Sequence, residues 1–268
     1  MTAAVRVHGL RYAFNGSVAV SNIDLTVQTG EVFGLLGPNG AGKTTTIRAI
    51  TALLPVPAGT ISIFGLDVTR NRMAVRRLIG YVPQMLSADS DLTGRENVSL
   101  FARLFDVPRR QRAARVDEVI DAMGLTEAAD RRASTYSGGM VRRLELAQAL
   151  ISMPRLLILD EPTIGLDPLA RSGVWERIAA IRRDTGMTVL VTTHYMDEAE
   201  QACDRVALMH RGEIRVLGAP EALIADLPEP DGDLDDVFRA HVGDHLDDDR
   251  TRGMRDVRAS RRTARRLG

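Results

Sequence analysis

The sequence predicts an α/β fold with a mainly parallel sheet, and three observations predict it. Short apolar runs that read as fully buried strands recur along the chain, at Val32–Leu36, Leu156–Leu159 and Met187–Thr193. A helix opening near Lys43 and a helical stretch from about 90 to 150 lie between the first two, which is the alternation of a βαβ architecture. The first of these strands breaks into a glycine-rich loop that opens a helix, and open α/β sheets bind ligands at that edge.

The elements follow in order. Val5-Arg6-Val7 and Ile23-Asp24-Leu25-Thr26-Val27 alternate as strands of a small antiparallel sheet, with Tyr12 and Phe14 between them. One of these aromatics stacks on a flat nucleobase, or both pack the sheet edge. Gly30 turns the chain into Val32–Leu36, and Gly37-Pro38-Asn39-Gly40-Ala41-Gly42-Lys43-Thr44-Thr45 follows. This strand–GxxxxGK[ST]–helix order is that of a phosphate-binding loop. Its glycines let backbone N–H groups approach phosphate oxygens, and the helix N-terminus adds partial positive charge. Lys43 is placed to reach the β- and γ-phosphates of a nucleoside triphosphate, and the Thr44 hydroxyl to ligate Mg²⁺. Lys43 is also the only lysine in the chain, every other basic residue apart from histidine being arginine. A compact ammonium on a flexible stem suits a phosphate at this one position.

Pro55, Pro57 and Gly59 mark a turn before the strand Thr60–Ile63, and Leu78–Gln84 reads as a short buried strand ending at a glutamine. From about 90 to 150 the pattern is helical, over Glu96–Phe105, Arg109–Met123 and Met140–Ile151, and reads as an inserted subdomain. Within it, Ser137-Gly138-Gly139 precedes a helix. That is either an ordinary serine N-cap or a second anion site, and two such sites per chain make sense if they face one another across a dimer. The strand Arg155–Asp160 ends in the carboxylate pair Asp160-Glu161, fixed by Pro162. Asp160 suits Mg²⁺, and Glu161 is placed to accept a proton from an attacking water. Met187–Thr193 ends at His194, a structural histidine or a γ-phosphate contact, and the last strands are Arg205–Met209 and Glu213–Leu217.

The length, 268 residues, allows one large domain with a real core, and a charged share of 26% is ordinary for a globular protein. The formal net charge of zero gives no case for a nucleic-acid partner. A lone cysteine, Cys203, forms no internal disulfide, which fits a reducing compartment. No apolar run approaches the ~18–20 residues that span a bilayer, so a cytoplasmic protein is expected.

In their order these motifs resemble the nucleotide-binding subunits of ATP-binding cassette transporters, and the resemblance covers residues 5 to about 225. Gly37–Thr45 resembles Walker A, Gln84 the Q-loop, and Ser137-Gly138-Gly139 the signature. Asp160-Glu161 resembles Walker B with its catalytic glutamate, Leu166-Asp167 the D-loop, and His194 the switch histidine. The resemblance implies a P-loop NTPase (RecA-like) core carrying a small antiparallel β subdomain and an inserted helical subdomain. It also implies ATP and Mg²⁺ as cofactors. Phe14 falls where the family places its adenine-stacking aromatic, and Gln84 joins Thr44 and Asp160 around the metal. Asp167 and the signature triplet are implied to contact nucleotide, while Glu161, His194 and Gln84 are the implied catalytic set. Tyr136 and Met140 depart from the Leu and Gln usual there, and methionine has no hydrogen-bond donor. Tyr-Ser-Gly-Gly-Met-x-Arg-Arg-Leu and Thr-Thr-His-Tyr-Met-Asp-Glu-Ala-Glu are similar to the drug-resistance exporters, the daunorubicin-resistance type above all.

The resemblance therefore implies an ATPase powering export through a separate transmembrane permease. Its chain would pair with a second copy as an ATP-sandwich dimer, peripheral on the inner face of the cell membrane. An importer subunit and a soluble, non-transport cassette ATPase are the alternatives. The domain is expected over 1–228. An acidic linker and Arg-rich tail, 229–268, are expected to be disordered, Leu234–Phe238 resembling the Leu-Glu-Asp-Val-Phe segment of drug-resistance members. The eight arginines from Arg250 to Arg266 are read as a self-neutralised solvated tail in preference to a lipid-binding one.

Overall fold

A computed structural model describes residues 3–228 and 231–242. The chain begins with a long hairpin of β1 (Ala3–Phe14) and β2 (Ser17–Gln28). Asn15 and Gly16 form its two-residue turn, both at positive φ (47° and 86°), the combination that matches the twist of paired strands. The alternation around 5–30 thus understated these strands. Tyr12 and Phe14 lie within β1, and Phe14 pairs with Ser17 at the hairpin's end. After the central strand β3 (Val32–Leu36) and helix α1 (Lys43–Ile50), β4 (Ile61–Ile63) and β5 (Leu66–Asp67) complete an antiparallel sheet in the order β2-β1-β4-β5.

The second sheet holds six strands. Helix α2 (Arg72–Leu78) leads into β6 (Ile79–Val82); the expected strand from Leu78 begins one residue later because Leu78 closes that helix. Three helices follow, α3 (Gly94–Leu104), α4 (Arg112–Ala122) and α5 (Gly138–Leu150). A capping box starts α3, Thr93 and Glu96 each bonding the other's backbone N–H. The predicted start of α4 at Arg109 is instead a 3₁₀ turn after Pro108, Arg109–Gln111. Then come β7 (Leu156–Asp160), α6 (Pro168–Thr185), β8 (Thr188–Thr193), α7 (Met196–Ala202), β9 (Arg205–His210) and β10 (Glu213–Gly218). The strand order is β10-β9-β3-β8-β7-β6, parallel throughout except for the β9–β10 pair.

Both faces of this sheet are covered, which is why its strands are continuously apolar. Leu157 and Leu159 of β7 and Val189 and Val191 of β8 pack into one core with α3, α5 and α6. Leu156, Ile158 and Leu190, on the opposite face, join a second core shared with α1 and the antiparallel sheet. The helical residues 94–150 therefore sit on one side, and the β hairpin on the other.

One boundary differs from expectation. Beyond α8 (Pro220–Ala225), residues Leu234–Val242 form a further helix, α9, within the segment expected to be a disordered linker. Leu234, Val237 and Phe238, at i, i+3 and i+4, are buried in the first core, and the Phe238 ring meets His210 edge-on. The packed unit thus extends past 228. The Arg-rich tail from Arg250 lies outside the described residues.

Candidate active site

The site lies where β3, β7 and β8 end. Gly37 has φ 148°, and a Cβ there would stand 2.1 Å from the Met209 carbonyl oxygen. At Gly42, with φ 106°, a Cβ would stand 2.5 Å from the Ala19 carbonyl. Only glycine fits either position, so the loop lies against β9 and the β hairpin at both ends. Lys43 follows as the first residue of α1. Its Nζ donates to the carbonyls of Gly37 (2.7 Å) and Pro38 (3.2 Å) and lies 3.2 Å from Glu161 Oε1. Both partners of that ion pair are only 4% exposed.

Glu161 is the junction of the site. Its Oε2 is 3.2 Å from His194 Nδ1 and accepts from Gln84 Nε2 at 3.4 Å. Its backbone is held at φ 51°, a left-handed conformation that costs a non-glycine residue energy. That turn is held by the Glu161 N–H, which donates to both the carbonyl and the hydroxyl of Thr192 at 3.0 Å. The hydrogen bond from His194 and the charge of Lys43 hold the Glu161 carboxyl below the usual glutamate range, against the opposing effect of burial.

Asp160 points to a different partner set. Its Oδ1 accepts from Thr192 Oγ1 (2.6 Å) and from Thr44 Oγ1 (3.4 Å). Burial pushes its pKa up, with the two hydroxyl bonds working the other way. Thr192 therefore donates to the Asp160 carboxylate and accepts from the Glu161 backbone N–H, a role the sequence reading missed, although a threonine pair closing a buried strand beside His194 is the signal that would have found it.

A cleft of about 430 Å³ opens over these groups, lined by Phe14, Ala19, Asn39, Gly40–Thr45, Gln84 and Glu161. Phe14, 44% exposed, is on its wall; Tyr12 is 5.0 Å behind it, ring to ring. The fold thus brings together the loop Gly37–Thr45, Phe14, Gln84, Asp160, Glu161 and His194. Ser137, Gly138, Gly139 and Asp167 do not line this cleft. Ser137 caps α5, accepting from the Met140 N–H at 3.3 Å. Gly138 and Gly139 lie against Leu166 and Ala170, and Asp167 caps α6 by accepting from the Ala170 N–H at 3.0 Å. The signature triplet and Asp167 therefore form a second, separate surface, with Ser137 and Gly138 exposed.

The donor set at Thr44 and Asp160 fits a hard divalent cation such as Mg²⁺. It offers a hydroxyl and a carboxylate oxygen in contact at the start of α1. No cluster of three or more His, Cys, Asp or Glu able to cage a metal exists among the described residues. Mg²⁺ is ordinarily bound in just this partial way, with substrate phosphates and waters completing its shell.

Comparisons with known proteins agree with this fold. The family model described as "ABC transporter" matches residues 20–164. The daunorubicin/doxorubicin resistance ATP-binding protein DrrA of Streptomyces peucetius is 46% identical over 226 residues, 84% of this chain and 68% of the relative. A Nod factor export ATP-binding protein I of Mesorhizobium japonicum is 42% identical, over 83% of this chain and 65% of its own length. The chain thus spans about two thirds of each. Among solved structures, an ATP-binding subunit of an ABC transporter superposes with TM-score 0.78 at 26% identity, covering 88% of this chain and 98% of that one. A dimeric post-hydrolysis state of the ATP-binding cassette MJ0796, bound to ADP and Pi, gives TM-score 0.71 at 25% identity, with 80% and 98% coverage.

Proposed function

Because this chain belongs to the ABC transporter family and is one of its ATPases, we propose that it is the ATP-hydrolysing subunit of an exporter whose substrate path lies in a separate membrane permease. No helix among the described residues is long and apolar enough to cross a membrane, which fits a chain that supplies energy to a partner. The names of its relatives, drug resistance and Nod factor export, support efflux as the direction. The segment just after Gln84 supports a docking face there, since Met85 and Leu86 are exposed apolar side chains beside the Q-loop.

In this reading the backbone N–H groups of Gly40–Thr44 and the Lys43 ammonium hold the β- and γ-phosphates, and the adenine lies on Phe14. Thr44 and Asp160, with Gln84 beside them, would hold Mg²⁺, which screens phosphate charge when bound. Glu161 accepts the proton of the attacking water, and its depressed pKa keeps it ionised for that task. His194 orients Glu161 and reaches towards the γ-phosphate, while Gln84 links the reacting centre to the docking face.

The observation that carries the proposal is the split site. Glu161, Lys43, Gln84 and His194 meet within hydrogen-bond reach in one cleft, whereas Ser137-Gly138-Gly139 is presented on a separate surface. A second copy of the chain completes the site by bringing its Ser137 and the α5 N-terminus onto the γ-phosphate, adding N–H donors where charge concentrates. Glu161→Gln with ATP and Mg²⁺ should accumulate as a dimer, seen as a doubled mass by light scattering. Adding Ser137→Arg should abolish the dimer and leave ATP binding intact. A stable ATP-bound dimer in that double variant would refute the two-chain site.

A further inference from the structure

Helix α5, capped by Ser137, carries a buried polar stripe that the chemistry above does not use. Arg142, Glu145 and Gln148 stand at i, i+3 and i+6, on one face of the helix. Each is at most 2% exposed, and Arg142 is among the largest fully buried side chains described. Charged groups are seldom buried this fully unless they are paired and hydrogen-bonded.

Their partners are almost all on one segment, the Q-loop and its continuation. The Arg142 guanidinium donates to the Pro83 carbonyl (2.9 Å), the Gln84 carbonyl (3.2 Å) and Glu145 Oε2 (2.9 Å). The other oxygen of Glu145 accepts from the Ser87 N–H and from the Ser87 hydroxyl. Gln148 donates to Asn97 Oδ1 (3.1 Å), and Asn97 in turn bonds Asp89 through both its N–H and carbonyl, and the Thr93 carbonyl. Arg142 and Glu145 therefore hold residues 83–87 largely by their main chain, and Gln148 reaches the main chain of Asp89 and Thr93 through Asn97 of α3. This geometry is specific to the segment's path, because backbone acceptors and donors are read whatever side chains they carry.

We propose that the Arg142–Glu145–Gln148 stripe is a transmission clamp that makes the Q-loop and the signature helix move as one body. Gln84 touches Glu161 on the clamped segment, and Ser137 lies five residues before Arg142, at the N-cap of the clamping helix. A displacement of Gln84 on filling the cleft is thereby delivered to Ser137, and closure onto the opposing copy is delivered back to the face around Met85. The residues are positioning residues, and the proposal rests on the two-chain reading of the site.

The clean perturbation is the double substitution Arg142→Met with Glu145→Leu. It cuts the hydrogen bonds of the helix to 83–87 while leaving no lone buried charge, and apolar replacement of a buried ion pair is often neutral for stability. The variant should melt close to the parent and bind ATP within about two-fold, since the phosphate loop is untouched. Its kcat should fall about ten-fold at nearly unchanged KM, because misplacement at a reacting centre acts on the chemical step. In hydrogen exchange, ATP should protect 83–93 and 137–141 together in the parent, but only the phosphate loop in the variant. Parental kcat, or parental joint protection, would overturn the clamp. Should the double variant fail to fold, Arg142→Lys keeps the charge for Glu145 but loses the planar fork that spans two carbonyls. A folded Lys variant with a several-fold lower kcat supports the clamp, and one with parental kcat and exchange overturns it. If Glu161→Gln alone forms no ATP dimer, the two-chain reading fails, and the exchange pattern around 83–93 still decides whether the stripe holds the Q-loop.

Discussion

Replacing Glu161 by glutamine should do more than stop hydrolysis, because in the nucleotide-free chain this carboxylate is also the counter-charge of Lys43. The two groups are 3.2 Å apart and nearly inaccessible to water. Removing one member of a buried pair costs about 3–5 kcal/mol when the other is left bare. Lys43 is not left bare, since the Gly37 and Pro38 carbonyls take two of its N–H groups and the amide oxygen of glutamine can take the third. Besides the Gln84 bond to Oε2, which the new NH₂ group cannot accept, what is lost at Lys43 is the charge-assisted part of one hydrogen bond, about 1–2 kcal/mol. For a chain of this size that lowers Tm by roughly 2–8 °C. A bound nucleotide supplies phosphate to Lys43 and removes the deficit. ADP is the right ligand, because it fills the loop without hydrolysis or closure of a dimer. The ADP-induced rise in Tm, measured by scanning calorimetry, should therefore be larger in Glu161→Gln than in the parent by about the amount lost without nucleotide. The pH dependence follows from the sign of the shift. The folded-state pKa of Glu161 lies below the ordinary 4.5, so its stabilisation is fully present above that value and lost as pH falls through the folded one. Parent and variant should differ in Tm at neutral pH and converge in acid. Equal melting without nucleotide, or equal ADP-induced shifts, would refute the pairing argument.

His194→Ala should leave ATP binding and folding intact and slow turnover by about 10²-fold, as for the loss of an orienting group. It removes the largest cause of the Glu161 shift, so the acidic limb of the pH–rate profile should move upward; an unfolded variant would mark a structural histidine instead. Phe238→Ala should cost about 3 kcal/mol, as for other buried Phe→Ala changes, and lower Tm by roughly 6–12 °C. A shift under about 2 °C would mean that α9 is a detachable appendage.

Much of the core architecture was legible because its signals are local. Buried parallel strands are apolar on both faces, and the phosphate loop needs glycine where a Cβ would strike Met209 or Ala19, so β3, β7, β8 and the loop are visible in residue types alone. Helix α6 was not anticipated, since its 18 residues bury little beyond Val174 and Ile178 and are otherwise rich in arginine and other polar groups. Helix α9 escaped for a related reason: three apolar residues inside an acidic stretch do not stabilise an isolated helix, and only packing on α7, α8 and β10 makes one. The hairpin was the avoidable miss, because Asn15-Gly16 between alternating strands is a strong local signal. At the site, Gln84, Glu161 and His194 could each be picked out, but Thr192 gains its role only when β7 and β8 lie side by side.

The single lysine of this chain has a practical corollary in protein chemistry. Acylating and reductive-alkylation reagents that seek side-chain amines find one target, and its nitrogen is sealed among two carbonyls and a carboxylate. An amine becomes nucleophilic only when it sheds its proton and leaves such partners. Lysine-directed labelling is therefore an occupancy meter that needs no engineered tag. Slow modification of Lys43, slower still with phosphate in place, reads the state of the cleft as one adduct on the peptide that carries it.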